Sequence, residues 1–165
     1  SFEKNVVNFI NQKGNDSICA MYIIDLDNFK QVNDKLGHSF GDQAICDTAN
    51  KLTLVFSEKD FIGRIGGDEF CVFICLKNTV KDAHSIIEQK ADTMREILVE
   101  YYTDGKASVA ITPSIGISIY PEQASDFKTL FKMADTALYK VKNSGKNNYL
   151  FYDKKMGFQG ESVYE

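Results

Sequence analysis

The chain is expected to fold as an α/β domain of the α+β type, a mixed β-sheet flanked by helices, and three observations point that way. Apolar runs at residues 18–24 and 70–76 are short, partly β-branched and bounded by turn residues, as buried strands are. Stretches with apolar residues at helical spacing lie between and after them. The two patterns alternate in the order β-α-α-β-β-α-β-α-β, which needs crossing connections over a sheet of mixed direction.

The first strand, 18–24, runs straight into Asp25-Leu26-Asp27-Asn28 and so delivers acids at its C-terminal end. Phe29, Val32 and Leu36 recur at helical spacing, and Gly37 closes that helix. A second helix over about 41–57 carries Ile45, Ala49, Leu52, Val55 and Phe56 on one stripe, with Asp42 in the first turn, where a carboxylate suits the helix dipole. Residues 61–65 and 70–76 flank Gly66-Gly67-Asp68-Glu69 and read as a β-hairpin with acids at its tip. Ala83, Ile86, Ile87, Ala91, Met94, Ile97 and Leu98 make a long amphipathic helix, and residues 108–120 a strand ended by Pro121. Leu130, Met133, Ala134, Ala137, Leu138 and Val141 form a last helix stopped by Gly145, before a terminal strand around 149–152.

A chain of 165 residues, 44% hydrophobic and 25% charged, is expected to form one globular domain, at 1–152, followed by a mobile tail at 153–165. The apolar runs are far shorter than the ~20 residues a membrane span needs. No apolar stretch with a small-residue cleavage site follows Ser1, so a cytoplasmic location is expected, either alone or as the cytosolic part of a longer, even membrane-anchored, protein. Cys19, Cys46, Cys71 and Cys75 sit in apolar segments without C-x-x-C spacing and read as reduced core thiols. The net charge of −4, with no basic stripe, argues against a nucleic-acid-backbone binder. A polyanionic ligand would need metal ions and a few placed groups to offset that charge.

Four groups could carry chemistry. Asp25 and Asp27 share one face of an alternating strand and are hard oxygen ligands suited to Mg²⁺. Asp27 reads better as a cap of the following helix, whereas Asp25, leaving so apolar a strand, calls for a cation or donors to meet it. At the hairpin tip, Gly66 and Gly67 permit positive φ and close approach to a phosphate, and Asp68 and Glu69 repel each other unless a cation or proton is shared. A sheet that brings this tip beside Asp25 would hold two divalent ions about 3.5–4 Å apart, an arrangement suited to in-line attack at phosphorus. Asn33 and Asp42 fit a guanine edge, whose N1–H and amine face a carboxylate, and fit surface capping as well. Lys142 and Lys146, four apart, share a helix face if the last helix reaches that far, either to hold a triphosphate or as a solvated basic helix end. His38 and His84 show no partner pattern and read as surface or structural.

These pieces resemble the GGDEF family of diguanylate cyclases. The resemblance is carried in order by Asp25-Leu26-Asp27-Asn28-Phe29-Lys30-Gln31-Val32-Asn33-Asp34, Gly37-His38-Ser39-Phe40-Gly41-Asp42, Arg64-Ile65-Gly66-Gly67-Asp68-Glu69-Phe70, Thr112-Pro113-Ser114-Ile115-Gly116-Ile117, Ala134-Asp135-Thr136-Ala137-Leu138-Tyr139 and Gly145-Lys146-Asn147. It implies a nucleotidyl-cyclase, palm-like fold that condenses two GTP into cyclic di-GMP and two pyrophosphates in a homodimer, with two Mg²⁺ (or Mn²⁺) per half-site. By the same resemblance Asp25, the Leu26 carbonyl, Asp68 and Glu69 would be metal ligands, with Asp68 and Glu69 the catalytic acids. Asn33 and Asp42 would bind guanine, and the Asn28 and Phe29 amides with Lys142 and Lys146 would bind phosphate.

Three positions depart from the family pattern. Its inhibitory product site, R-x-x-D, is here Ser57-Glu58-Lys59-Asp60, so only Asp60 remains and the site is expected not to function. The usual arginine of the Gly-Arg-Asn segment is Lys146. A Leu-Thr-Gly-Leu motif before the first strand is absent, which suggests a piece of a longer protein with an upstream sensor or dimerisation domain. The alternative to an active cyclase is a catalytically silent module that responds to GTP or a cyclic dinucleotide.

Overall fold

The computed structural model describes residues 1–13 and 16–158. Its elements are α1 (Phe2–Lys13), β1 (Ser17–Asp27), α2 (Phe29–Leu36), α3 (His38–Val55), β2 (Phe61–Arg64), β3 (Glu69–Lys77), α4 (Ala83–Ile97), β4 (Glu100–Thr103), β5 (Ser108–Tyr120), α5 (Phe127–Asn143) and β6 (Asn148–Phe151). Six strands form a sheet in the order β2-β3-β1-β5-β4, with β6 pairing beside β5. All pairings are antiparallel except β5 with β6, so the sheet is mixed and the fold α+β, as expected.

The alternation of β1 sorts the core into two layers. Ala20, Tyr22, Ile24 and Leu26 pack with residues of α2, α3 and α4, while Cys19, Met21 and Ile23 pack with residues of α1 and α5. Tyr22 is fully buried, and its hydroxyl donates to the Ile87 carbonyl of α4 at 2.7 Å, which satisfies the one polar atom it takes inside. The central strand β1 is thus covered on both faces, which is why it reads as a continuous apolar run.

α5 lies against β5 at Gly116. A Cβ there would overlap the Ala134 carbonyl and the Leu138 amide, both backbone atoms that cannot swing aside. β5 also contains Pro113, which has no N–H for a ladder. β4 pairs only with residues 108–111 of β5 and β6 only with residues 114–117, so Pro113 falls in the gap between them.

Several expectations need correcting. α1 and β4 were absent from the expected order: α1 precedes the first run, and β4 is only four residues long and follows α4 almost directly. α3 begins at His38 rather than 41, because Gly37, at φ 99°, turns the chain directly from one helix into the next. Cys19 and Cys75 are not reduced thiols but a disulfide. They lie 56 residues apart in sequence yet directly opposite across β1 and β3, with Cα atoms 4.1 Å apart, while Cys46 and Cys71 are free. The segment 153–165 is described as far as Phe158: Lys154–Met156 forms a 3₁₀ turn and Phe158 stacks on Tyr152 with ring centroids 6.0 Å apart. Residues 159–165 lie outside the described part. No helix among the described residues is long and apolar enough to cross a membrane.

Gly116→Ala is expected to destabilise the fold by about 3 kcal/mol, the upper part of the usual range for overpacking. Urea unfolding checks this as a lower midpoint with an unchanged slope.

Candidate active site

Strand register builds the site. Asp25 is the last β1 residue paired with β3, and its partner is Glu69, the first residue after the hairpin tip. The Leu26 N–H donates to the Asp68 carbonyl at 3.0 Å, which draws the tip onto the end of β1. A strand residue's N–H and C=O leave on the same side. The Leu26 carbonyl is therefore aimed toward the hairpin side as well, while Pro113, opposite Leu26 on β5, faces the other way into its gap.

The tip is closed from within. Ile65 N–H donates to the Glu69 carbonyl at 2.9 Å, and the Arg64 guanidinium donates to the Gly66 carbonyl at 3.1 Å and the Gly67 carbonyl at 2.8 Å. Gly66 and Gly67 permit a positive φ, but neither adopts one. No residue packs within reach of a Cβ at Gly67, and at Gly66 the nearest atom is the Glu69 Cβ, so what the pair supplies is an unobstructed backbone at the tip. An open depression of about 580 Å³ lies beside the tip end of β2 among Phe2, Ile65, Phe127 and Phe131, and none of the site acids lines it.

The acids perturb one another. Asp25 is 14% exposed, and its Oδ2 pairs with Lys142 Nζ of α5 at 2.6 Å. Its Oδ1 is buried without a donor. Burial raises the Asp25 carboxyl to about 6, opposed by Lys142 and reinforced by Asp68. Burial also raises Glu69 to about 7, with repulsion from Asp25, Asp135 and Asp68 adding to it. Asp135, on α5, is itself raised by burial. Among the described residues no three His, Cys, Asp or Glu side chains form a ready-made metal cage. The donor set nonetheless fits Mg²⁺, which usually takes one or two carboxylates and completes its shell with waters and substrate phosphates.

The remaining candidates divide. Asn33 of α2 lies directly over Gly41, where a Cβ would overlap its amide, so Asn33 packs on the turn of α3 that also carries Asp42. Asn28 starts α2 at φ 68° with no side-chain cap, and its amide instead donates to the Ala110 carbonyl at 3.0 Å. Phe29 opens the helix at the end of the acid strand. Lys142 is a counter-ion to Asp25 here, and Lys146 does not share its helix face, because α5 ends at Asn143 and Lys146 sits at φ 62° in the turn beyond. Asp27 is not the α2 cap. It is 1% exposed and accepts from Thr112 Oγ1 (2.6 Å), Ser114 Oγ (2.7 Å) and the Asn147 N–H (3.0 Å). Asp60 accepts from the Ser57 N–H and hydroxyl at 2.8 and 3.2 Å, closing a turn of its own. His84 pairs at the surface with Glu122 at 2.7 Å.

Sequence reasoning missed Arg64 and Asp135. Asp135 was visible as an acid within the apolar stripe of α5, seven residues before Lys142 and so on the same face. Arg64 carried no periodic signal, since its role depends on the folded turn.

Fold and site together define an α+β domain with acids and a lysine-bearing helix gathered at one end of a mixed sheet. Residues 1–148 match the family described as Diguanylate cyclase, GGDEF domain, and the chain belongs to it. It is similar to the cyclic di-GMP phosphodiesterase NbdA of Pseudomonas aeruginosa, 34% identical over 137 residues, 83% of this chain and 17% of that protein. It is also similar to the probable diguanylate cyclase DgcC of Escherichia coli K12, 34% identical over 139 residues, 84% of this chain and 36% of that protein. The chain thus spans a minor part of the length of these relatives. The structure of the GGDEF domain of TpbB (YfiN) from Pseudomonas aeruginosa superposes with a TM-score of 0.77 at 27% identity, covering 99% of this chain and 92% of that one.

Glu69 is protonated at no cost to folding below its ordinary value near 4.5, and the folded state loses stability as pH rises through about 7. Without added metal the protein is therefore expected to melt at a lower temperature at pH 8 than at pH 5.5, with Asp25 adding in the same sense. Thermal melts of Glu69→Gln should show a flatter profile. A profile as steep as the parent's would assign the pH dependence elsewhere.

Proposed function

We propose that the chain is a cyclic di-GMP signalling domain and an active diguanylate cyclase, which joins two GTP into cyclic di-GMP and releases two pyrophosphates. The observation that carries this reading is the convergence of Asp25, Asp68 and Glu69 at one sheet end, with a buried Asp25 oxygen that no donor meets. Asp25, Asp68, Glu69 and the Leu26 carbonyl would hold Mg²⁺, which when bound offsets the charge of the triphosphate and of the transition state.

The chain's own residues do the rest. Asn33 and Asp42 would take the guanine edge, since adenine leaves the Asp42 carboxylate without a donor. The amides of Asn28 and Phe29, with Lys142 and Lys146, would take the phosphates. Asp68 would help remove the proton of the attacking 3′-hydroxyl. The 3′-oxygen then bonds to the α-phosphorus of the other GTP while the bond to pyrophosphate breaks in line. Each domain would present one GTP, so two copies must meet face to face in a symmetric homodimer. Product inhibition through the R-x-x-D position would be absent, because Ser57 offers no guanidinium and the Asp60 carboxylate is taken up by Ser57.

A dimerised form of the chain, given Mg²⁺, is expected to make cyclic di-GMP from GTP and no corresponding product from ATP. Asp68→Ala should lower the rate by about a hundredfold or more. Asp42→Asn should weaken GTP binding by about tenfold, as loss of hydrogen bonds to a charged group does. GTP binding without turnover in the forced dimer would identify a silent regulatory module instead, a reading supported by the phosphodiesterase name of one relative. Added cyclic di-GMP should not inhibit through residues 57–60, so any inhibition should persist in Asp60→Ala, and inhibition lost in that variant would refute this reading.

A further inference from the structure

Gly145, Lys146 and Asn147 follow one another at φ 104°, 62° and 48°. Three consecutive left-handed residues, two of them bearing side chains, are costly for the backbone and persist only where the surroundings hold them. The holding groups are few. The Lys146 N–H donates to the Val141 carbonyl at 3.1 Å, as the last turn of α5 closes. Arg95 Nε of α4 donates to the Asn147 carbonyl at 3.1 Å from an exposed position. The Asn147 N–H donates to Asp27 Oδ2 at 3.0 Å, and Asp27 is the buried side chain among these partners.

Asp27 has two other donors, Thr112 and Ser114. Both belong to β5 and are already fixed to β1 by the strand ladder, opposite Asp27 and Asp25 respectively. Asn147 is the partner that no ladder places, since β6 begins one residue later. The two hydroxyls orient the carboxylate and satisfy its oxygens, and the third bond fixes the turn. A hydroxyl can rotate to serve an amide as well as a carboxylate, whereas the Asn147 N–H can only donate.

We propose that Asp27 is a positioning residue that locks the Gly145–Asn147 turn in its left-handed form, and so sets Lys146 at the acid end of the sheet to meet the phosphates of a nucleoside triphosphate. This rests on the nucleotide-binding reading above. Asp27 does not touch the substrate; it acts through Asn147. The strain resides in the turn, so a residue that adopts the left-handed region freely should make the lock less necessary.

The test uses Asp27→Ala, which leaves the Asn147 N–H no acceptor, Thr112→Val with Thr112→Ser as the conservative counterpart, and the double variant Asp27→Ala with Asn147→Gly. Two readouts are taken: hydrogen exchange of the residue-147 amide without nucleotide, and GTP affinity and turnover in the dimerised chain with Mg²⁺. Asp27→Ala is expected to speed exchange at least tenfold and to raise the GTP Kd and KM about tenfold, with kcat within about twofold of the parent. Thr112→Val should shift both readouts the same way by less, and Thr112→Ser should restore them. The double variant should recover most of the lost affinity while exchange stays fast. Unchanged exchange in a folded Asp27→Ala, or fast exchange with unaltered GTP affinity, would overturn the proposal. A parent that binds no GTP would instead overturn the nucleotide-binding reading, and the role assigned to Asp27 with it.

Discussion

The site depends on one backbone hydrogen bond, from the Leu26 amide to the Asp68 carbonyl, continuing the β1–β3 register one step beyond the last paired residues. Without it the strand end and the hairpin tip would be neighbours in the sheet but free to splay. With it, acids far apart in sequence are held together, and their mutual repulsion is borne by a ladder of paired residues from Ser17 to Asp25. Antiparallel pairing suits this task because a strand can enter the site from one end of the domain and a hairpin can turn back at the same place.

The repulsion has consequences of its own. Burial and crowding raise Asp25 and Glu69 together, so the unliganded domain carries a strained acidic corner that Lys142 only partly relieves. The corner's preference for positive charge is a property of the fold, present before any ligand. Lys142 reaches it because α5 lies close on β5 at Gly116, where no side chain intervenes. The packing of one glycine under a helix thus sets the position of a charged group about one to two turns further along it.

Much of this was legible in the sequence, and the gaps have physical reasons. β5 was read with its observed bounds despite Pro113, because apolar periodicity over a long strand outweighs one missing donor. The acid convergence was anticipated because strand ends and hairpin tips are both marked by local residue choice. What sequence did not reveal depended on contacts between distant segments. The bonding of Asp27 to a turn 120 residues away has no local signature, and a carboxylate ahead of a helix looks like a cap whether or not it is one. Cys19 and Cys75 meet only because the register puts them opposite. Lys146 could share a face with Lys142 only if the last helix reached it; Gly145 already marks a stop in the sequence, and α5 ends earlier still, at Asn143. β4 was too short for periodicity to register, and it pairs because β5 extends past β1 to meet it.

Pro113 has a further effect on how copies of this domain can associate. By dividing the flank of β5 between β4 and β6, it leaves that side of the sheet with two borders of four residues each, and on the opposite side β2 is four residues as well. Borders of that length offer few free amides and carbonyls to a strand from another chain, and short edge strands are a known safeguard against sheet-to-sheet aggregation. Copies brought together at the acidic end would therefore meet through side chains and bound ligand rather than by extending each other's sheet.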